Sequence, residues 1–597
     1  MVLKDRTLLL AFGVLAILVV GLAVVGGFRF YSPVPFADMW HGYIGFYARV
    51  ADGYIGAWWD PHNEHRIVLA HALFWTDLRW FGGAGWFLIA ANYFFVGASA
   101  FMFWRILRAA ATAETPATAA ILPGLFVTAW LFQWMQYENL TWAFQSQFIL
   151  AQLLPLCAMY WLHKSAVESP SNRYFLIACG FGVASVGTMA NGILALPLMA
   201  FCAFLMRQRL ARVGLLAALS VATLFLYFHS YEAVHQYGSL WQALEHYPSR
   251  FVQYVLLYLG SPFHYLSGGG EPGKLIAQVA GLVLVGGSAW FAIKALRKPR
   301  EMTLQLAMLF FILYVGGTAF GTAGGRLILG ANQALSSRYT TPALMAWSAL
   351  FVLYSPSILA AIRARSTKSL LLFAVLGLQM VNLQRQALRP QDDELFERKI
   401  AALALELHIN DRTQIRRIYR FVEPIMPVAE KASAQNVSVF GMYPFRDARE
   451  QLGTSVQQPN LPACKGYLET VELIDGDTHF VRVSGWIFDS IGRPYPQVVR
   501  FINSQSQEVG YALIGKPRPD IANSIDKKAL QSGYRGYLWS DQMGATLKLQ
   551  AEGQAGPSCQ MQASVPVALF PRTATRPSVD SVSLARTNIT FQSMVGI

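Results

Sequence analysis

Residues 7–28, TLLLAFGVLAILVVGLAVVGGF, decide the class of fold to which this chain belongs. An uninterrupted apolar run of this kind matches the roughly 20 residues that an α-helix needs to cross a bilayer. Lys4 and Arg6 precede the run, and no small-residue cleavage site follows it. We therefore interpret it as a retained first membrane span whose basic flank faces the inner side.

The composition of the whole chain favours a protein that crosses the membrane several times. Of the 597 residues, 54% are hydrophobic and only 14% are charged, whereas soluble domains carry about 25% charged residues. The net charge of +14 comes from short Lys and Arg clusters between apolar runs. This distribution is typical of the inner loops of membrane proteins and disfavours nucleic acid as a partner.

Clusters of Lys and Arg set the direction of each later span, because positive loops stay on the inner side. The cluster at 105–108 lies inside only if residues 86–104 form the second span. We therefore predict that residues 67–81 form an amphipathic helix at the outer membrane surface, and that the C-terminal region is outside. The pattern predicts about eleven spans, and the remaining ones are 119–134, 148–162, 174–186, 193–205, 215–228, 276–293, 304–320, 344–362 and 370–386.

This topology places nearly all the unusual polar residues on one side of the membrane, although they were not used to derive it. The inner loops are short and basic, whereas the outer loops carry many side chains that bind ligands or protons. Ionisable groups beside hydrocarbon are costly, so their concentration indicates a functional face. The residues are Asp38, His41, Glu64, His65, Arg66, Glu138, Asn139, Gln145, Asn191, His229, Glu232, His235, His264, Arg326, Asn332 and Arg338.

Asp38 lies in residues 36–41, FADMWH, just beyond the first span. Its side chain serves either as a turn or cap group, or as a carboxylate that orients or deprotonates an attacking hydroxyl. We predict the second role for Asp38, with His41 of the same stretch as a substrate-binding residue.

Residues 60–66, DPHNEHR, form the second polar stretch. Glu64 is either an acid that stabilises the start of a helix or a second catalytic carboxylate. His65 and Arg66 are candidates for substrate binding. His62, Glu64 and His65 have the chemistry of a cation site, but they lack the His-Glu-x-x-His order of zinc proteases. A divalent cation therefore stays an alternative, and no metal ligand is assigned.

Arg326 and Arg338 belong to the polar segment before a late span, in 324–326, GGR, and 336–339, SSRY. The planar guanidinium group suits a phosphate because it binds two oxygens, although an arginine that extends to the membrane surface is the alternative. Asn191 interrupts two short spans, which is tolerated where a polar break lines a cavity or packs on protein. The other candidates for substrate binding are Glu138, Asn139, Gln145 and Tyr339.

The composition becomes that of a soluble protein after residue 386. Residues 387–463 predict a helical linker, because 392–408 and 411–419 have helical spacing. Residues 464–570 contain β-branched and alternating segments that predict an Ig-like β-sandwich. Cys464 and Cys559 bracket this region and predict a disulfide if it faces an oxidising compartment. The tail at 571–597 is rich in Ser, Thr and Arg, which predicts poor order.

Residues 1–386 resemble the GT-C glycosyltransferases, a class that includes protein O-mannosyltransferases and lipid A aminoarabinose transferases. In that class an acidic motif follows the first span, where Asp38 stands here. Residues 58–66, WWDPHNEHR, occupy the place of its juxtamembrane helix and of its His- or Lys-Pro-Pro motif. Asn191 with the glycine after it is similar to the polar break of the class, and Arg338 with Tyr339 is similar to its late Arg-Tyr.

The resemblance implies an enzyme that moves a hexose or pentose from a polyprenyl-phosphate carrier to a glycan, lipid or protein acceptor. The reaction would occur on the outer face of a bacterial inner (plasma) membrane. Asp38 would activate the acceptor, with Glu64 or alternatively Glu138 as a second carboxylate, and Arg326 and Arg338 would hold the leaving phosphate. The strand region is similar to sandwich modules attached to bacterial glycosyltransferases.

Two other classes of protein have the same general layout. The first is a transporter or flippase for a lipid-linked or polar solute, and the second is a scaffold for a cell-envelope complex. Transporters usually carry internal repeats and polar groups near the bilayer midplane. No repeat is evident here, and the polar residues gather toward one face, which favours the transferase.

Overall fold

The computed structural model describes residues 2–110, 117–169, 171–231, 238–364, 366–457, 459–490 and 496–567. Glu232, His235 and the tail at 571–597 lie outside the described residues. The chain divides into two compact units. The first contains Met1–Tyr31, Arg49–Asp77 and Gly85–Arg389, and the second contains Ser32–Ala48, Leu78–Ala84 and Pro390–Ile597.

Helices follow one another from the N-terminus to residue 384. Helices predominate because a backbone within hydrocarbon must satisfy its own hydrogen bonds. They are α1 Val2–Arg29, α2 Phe46–Ala51, α3 Val68–Trp80, α4 Trp86–Ala110, α5 Ala117–Leu131, α6 Tyr137–Thr141, α7 Ser146–Val167, α8 Ser171–Val186, α9 Ala195–Leu205, α10 Leu210–Phe228, α11 Leu240–His246, α12 Pro248–Leu266, α13 Gly270–Arg297, α14 Thr303–Arg326, α15 Thr340–Arg363 and α16 Thr367–Gln384.

Six helical segments in the described part of the chain are long and apolar enough to cross a membrane. Several of them keep large apolar side chains exposed, such as Ile17 of α1 and Phe225 of α10. Exposed apolar faces of this length fit a lipid environment and indicate a membrane protein. The segments are Arg6–Arg29, Trp86–Ala110, Leu210–Phe228, Gly270–Arg297, Thr303–Leu329 and Ser337–Ile362.

The other segments predicted as spans also lie largely on helices, namely α5, α7, α8, α9 and α16. They do not meet the same criteria of length and hydropathy. α5 and α8 have 15 and 16 residues, shorter than the roughly 20 residues needed to cross a bilayer. α7 is long enough, but it is buried along most of its length by neighbouring helices and contains Gln147 and Gln152.

The interior of the first unit is a continuous apolar core. α12 and α13 pack closely because glycines lie at their contact: a Cβ at Gly260 would overlap the carbonyl oxygen of Ala277, and one at Gly281 would overlap that of Leu256. Small residues of this kind let two helix backbones approach, which is a principal source of helix association in lipid.

The second unit combines short helices with seven strands that form one antiparallel sheet. In strand order, the sheet reads β1-β2-β5-β4-β3-β6-β7. The elements are α17 Asp392–Glu406, α18 Arg412–Ile415, α19 Met426–Ala434, α20 Ala448–Gln451, β1 Lys465–Ile474, β2 Asp477–Phe488, β3 Val498–Ile502, β4 Glu508–Lys516, α21 Pro519–Ser524, β5 Gly533–Trp539, β6 Thr546–Gly553 and β7 Gly556–Ser564.

The sequence predicts two packed sheets over residues 464–570, whereas the structure has a single curled sheet. The sheet curls because the chain just before β1 also pairs with β7. Ala463 forms a parallel bridge with Gln560, and the Cys464 N–H donates to the Gln560 carbonyl oxygen at 2.9 Å. A disulfide between Cys464 and Cys559 joins the same two ends of the sheet, as their pairing from the sequence suggests.

Residues 32–48 belong to the second unit, although the sequence assigns them to the membrane part. The Ala37 N–H donates to the carbonyl oxygen of Ile418 at 2.8 Å. The Trp40 ring is fully buried and lies 6.3 Å from the ring of Phe440. The stretch that carries Asp38 is therefore built into the C-terminal unit.

Candidate functional site

Glu64 lies at the centre of a network of opposite charges in the first unit. Its Oε1 forms an ion pair with Arg326 and lies 3.6 Å from His65 Nε2. The Ala190 N–H donates to the other ring nitrogen of His65, Nδ1, at 3.3 Å. Burial raises the pKa of the Glu64 carboxyl, but His65 and Arg326 together outweigh burial, so that this pKa lies below its ordinary value. We infer that Glu64 is ionised at neutral pH.

Arg66 is buried and is held by backbone carbonyl groups. Its Nε donates to the Tyr227 carbonyl oxygen at 2.8 Å, and its Nη2 donates to that of His229 at 2.9 Å. Its Nη1 donates to the carbonyl oxygen of Trp59, and the Trp59 ring lies under the guanidinium group. These bonds engage every nitrogen of the guanidinium group. The geometry favours an anchor between residues 59–66 and the end of α10 over the predicted contact with substrate.

Glu138 and Arg338 form a second pair of opposite charges. Arg338 Nε lies 3.9 Å from Glu138 Oε2. The buried amide of Asn139 donates to the Arg338 carbonyl oxygen at 2.9 Å and to Thr341 Oγ1 at 2.6 Å. The Glu138 N–H donates to Ser337 Oγ at 3.2 Å, so that α6 and the turn before α15 are fixed to each other.

Tyr254 of α12 lies within electrostatic range of both arginines. Its hydroxyl is buried, and the charges of both Arg326 and Arg338 act on it. The ring of Tyr258, one helical turn later, lies 5.3 Å from the ring of Tyr339, which in turn lies below the Arg338 guanidinium group. We call Arg326, Arg338, Tyr254, Tyr258 and Tyr339 the tyrosine–arginine cluster.

Sequence analysis identifies Arg326, Arg338 and Tyr339 but misses the two tyrosines of α12. A signal was present, because Tyr254 and Tyr258 are four residues apart and therefore share one face of a helix. The signal was weak, since residues 229–275 carry no span and gave no reason to expect a helix there. Without a predicted helix in that stretch, the four-residue spacing of Tyr254 and Tyr258 does not indicate a shared face.

One face of α14 continues from the cluster toward Asn191. Thr318, Thr322 and Arg326 are spaced four residues apart, so they lie on the same side of the helix. The Thr322 hydroxyl donates to the Thr318 carbonyl oxygen at 2.8 Å, and Thr318 Oγ1 accepts a bond of 3.0 Å from the Asn191 amide. The predicted polar break at Asn191 therefore belongs to the same polar layer as Arg326.

Gln145, the remaining predicted residue of the first unit, precedes α7. Its side chain is fully buried, and neither the nitrogen nor the oxygen of its amide has a hydrogen-bond partner within the described residues. An unpaired buried amide costs about 1–3 kcal/mol, so it calls for a ligand or a water.

Asp38 and His41 belong to the second unit, whereas all the other predicted site residues belong to the first. Asp38 lies in a turn and is partly buried, and its carbonyl oxygen accepts the Gly42 N–H at 2.8 Å. The His41 ring lies 5.4 Å from the ring of Tyr419. Desolvation lowers the pKa of His41, and the nearby Asp38 carboxylate opposes this shift without reversing it. His41 thus lies beside the segment that follows α18 in its own unit.

The tyrosine–arginine cluster is rich in hydrogen-bond donors. Two guanidinium groups and buried tyrosine hydroxyls offer hydrogen-bond donors suited to phosphate oxygens. Among the described residues, no group of three or more His, Cys, Asp and Glu side chains is arranged to hold a metal ion.

No known protein family, curated protein or solved structure matches this chain.

Proposed function

We propose that the protein is a membrane glycosyltransferase of the GT-C type, which takes a sugar from a polyprenyl-phosphate carrier. The acceptor would be a glycan, a lipid or a protein. The observation that supports this proposal most is the tyrosine–arginine cluster. Arg326 ends α14 and Arg338 immediately precedes α15, and both helices are candidate spans. A phosphate bound there would keep its lipid chain in the bilayer.

The proposed orientation follows from the positions of the basic clusters. It has about eleven spans with the N-terminus inside. The tyrosine–arginine cluster and the whole second unit are then on the outer side of a bacterial inner membrane. The Cys464–Cys559 disulfide supports this side for the second unit, because structural disulfides persist in oxidising compartments.

In the proposed reaction, the acceptor hydroxyl oxygen attacks the anomeric carbon of the sugar. The bond between that carbon and the phosphate oxygen breaks, and polyprenyl phosphate leaves. The hydroxyl proton passes to Asp38, the carboxylate that the resemblance assigns to this step. Arg326 and Arg338 would stabilise the charge that develops on the leaving phosphate, which is usually the largest contribution to such a rate. Ionised Glu64 would hold Arg326 in position.

Binding of the carrier tests the phosphate site directly. Purified full-length protein in lipid nanodiscs is titrated with a panel of polyprenyl-phosphate sugars and with polyprenyl phosphate. We expect Arg338→Ala to weaken binding about 30-fold, which corresponds to about 2 kcal/mol for one charge-assisted contact. Arg297→Ala, at the exposed end of α13, removes the same charge elsewhere and should bind as the wild type does. Unchanged affinity in Arg338→Ala contradicts the proposal.

A further inference from the structure

The two arginines of the cluster are paired with their carboxylates in different ways. Arg326 forms a short ion pair with Glu64, which His65 also approaches. Arg338 Nε and Glu138 Oε2 are 3.9 Å apart, which is longer than a hydrogen bond. The Arg338 pair is therefore the looser of the two, and it is the one that a ligand can open at lower cost.

The backbone of Arg338 is fixed, whereas its side chain can change partner. The Asn139 amide, itself buried, holds the Arg338 carbonyl oxygen. The guanidinium group lies 5.7 Å from the centre of the Tyr339 ring, and its charge also acts on Tyr254. The contact with the Tyr339 ring tolerates a shift of the guanidinium group by a rotamer change, because a cation–π contact imposes no single hydrogen-bond direction.

Glu138 depends on Arg338 for charge compensation. The charged group that acts on it among the described residues is Arg338, and the hydroxyl of Tyr265 also interacts with it electrostatically. Tyrosine hydroxyls are neutral near pH 7. Burial raises the pKa of Glu138 above its ordinary value, and Arg338 opposes this shift without reversing it. Glu138 therefore differs from Glu64, whose pKa lies below its ordinary value beside Arg326 and His65.

We propose that a phosphate ligand binds Arg338 by displacing the Glu138 carboxylate, and that the displaced carboxylate takes up one proton from solvent. The inference rests on the proposed function, because the ligand is the phosphate group of the lipid carrier. A buried carboxylate that loses its cation is costly, and protonation removes that cost. Protonated Glu138 can also donate a hydrogen bond to a phosphate oxygen, as an ionised carboxylate cannot.

The sign of the pH dependence follows from linkage. Glu138 has one pKa in the free protein and a higher pKa in the phosphate complex. Because the complex holds one more proton than the free protein between these two values, affinity for phosphate rises as pH falls through that range. Above that range the carboxylate stays ionised and competes with the phosphate for Arg338. The second ionisation of a phosphate monoester, near pH 6, acts in the opposite direction and must be subtracted.

Calorimetry measures the proton directly. Full-length protein in nanodiscs is titrated at pH 7 with a short-chain polyprenyl monophosphate, in two buffers with different ionisation enthalpies. We expect the wild type to take up about one proton more than Glu138→Gln. Glu138→Gln should bind at least as tightly as the wild type, since its neutral amide does not compete for Arg338. Glu271→Gln, an exposed carboxylate at the start of α13, is the matched control and should keep the uptake.

The outcomes separate this inference from the proposed function. Equal proton uptake by wild type and Glu138→Gln overturns the inference while leaving the phosphate site intact, whereas no binding by the wild type overturns both. A titration with inorganic phosphate shows whether the headgroup alone suffices for the exchange. If Glu138→Gln does not fold, the pH dependence of the wild-type dissociation constant is the test instead. After correction for the ionisation of the ligand itself, this constant must increase from pH 6.5 to 8. A constant value contradicts the displacement of Glu138 by phosphate.

Discussion

Glu508 is a single residue whose protonation should govern the stability of the second unit. It is fully buried in β4, where its Oε2 lies 3.2 Å from Arg500 of β3. Arg500 also pairs with Glu552 of β6 at 2.7 Å, so two carboxyl groups share one cation. Burial raises the pKa of Glu508 from 4.5 to about 7, with Arg500 opposing the shift and Glu552 adding to it.

We predict that the second unit loses stability as pH rises from about 5 to 8 because of Glu508. The folded state binds this proton more tightly than the unfolded chain does, so folding is favoured most at low pH and the advantage disappears above the folded pKa. The proton on Glu508 contributes up to about 3 kcal/mol to the free energy of unfolding. Thermal unfolding of the full chain at several pH values checks this, and Glu508→Gln should flatten the profile. If the melting temperature of Glu508→Gln falls with pH as steeply as that of the wild type, Glu508 is not the group responsible.

Single residues also show where sequence reasoning was sufficient and where it was not. Arg326 and Arg338 are predicted as site residues because the expected topology puts them on the outer side, where the positive-inside rule disfavours arginine. The same rule disfavours Arg66 on the outer side, yet its guanidinium group binds backbone carbonyl oxygens. Only the three-dimensional position of the end of α10 distinguishes an anchor from a ligand-binding arginine, and the two segments are far apart in sequence.

Among the elements, strands were predicted closely but their arrangement was not. The β-branched segment at Val498–Ile502 is β3, with the same bounds that its sequence suggests. Alternation reports which residues face a core, but it does not report which strand lies beside which. β3 pairs with β4 and also with β6, and residues 463–464 reach across to β7. These long-range pairings turn the expected sandwich into one curled sheet.

The disulfide should hold the two ends of this sheet together. We predict that replacing Cys464 and Cys559 by serine destabilises the second unit by about 2–4 kcal/mol, because a long loop is then free in the unfolded state. Hydrogen exchange of the full chain should become faster in β1 and β7 and stay unchanged in α7. Cys157→Ser, a cysteine buried in α7, is the control and should leave the exchange of β1 and β7 as it is. Unchanged exchange in β1 and β7 of the double variant would contradict this role.

At the scale of the whole molecule, the division of the chain could not be anticipated from composition. Hydropathy predicts a change from apolar helices to a more polar region after residue 386. It cannot show that residues 32–48 and 78–84 fold with that soluble region, because both short segments lie between apolar runs. The hydrogen bond from Ser438 Oγ to the Gly83 carbonyl oxygen, at 2.9 Å, joins parts of one unit that are separated by more than half of the chain.

The central claim is sugar transfer that depends on Asp38 and on a phosphate site. The most direct measurement is the release of polyprenyl phosphate from a radiolabelled polyprenyl-phosphate sugar, followed together with carrier binding in the same nanodisc preparation. The account predicts that Asp38→Asn binds the carrier as the wild type does and releases polyprenyl phosphate at least about 100-fold more slowly, while Arg297→Ala behaves normally. Near-normal release by Asp38→Asn would contradict the role of Asp38. Carrier binding by the wild type without any release of polyprenyl phosphate would contradict sugar transfer and would favour a transporter.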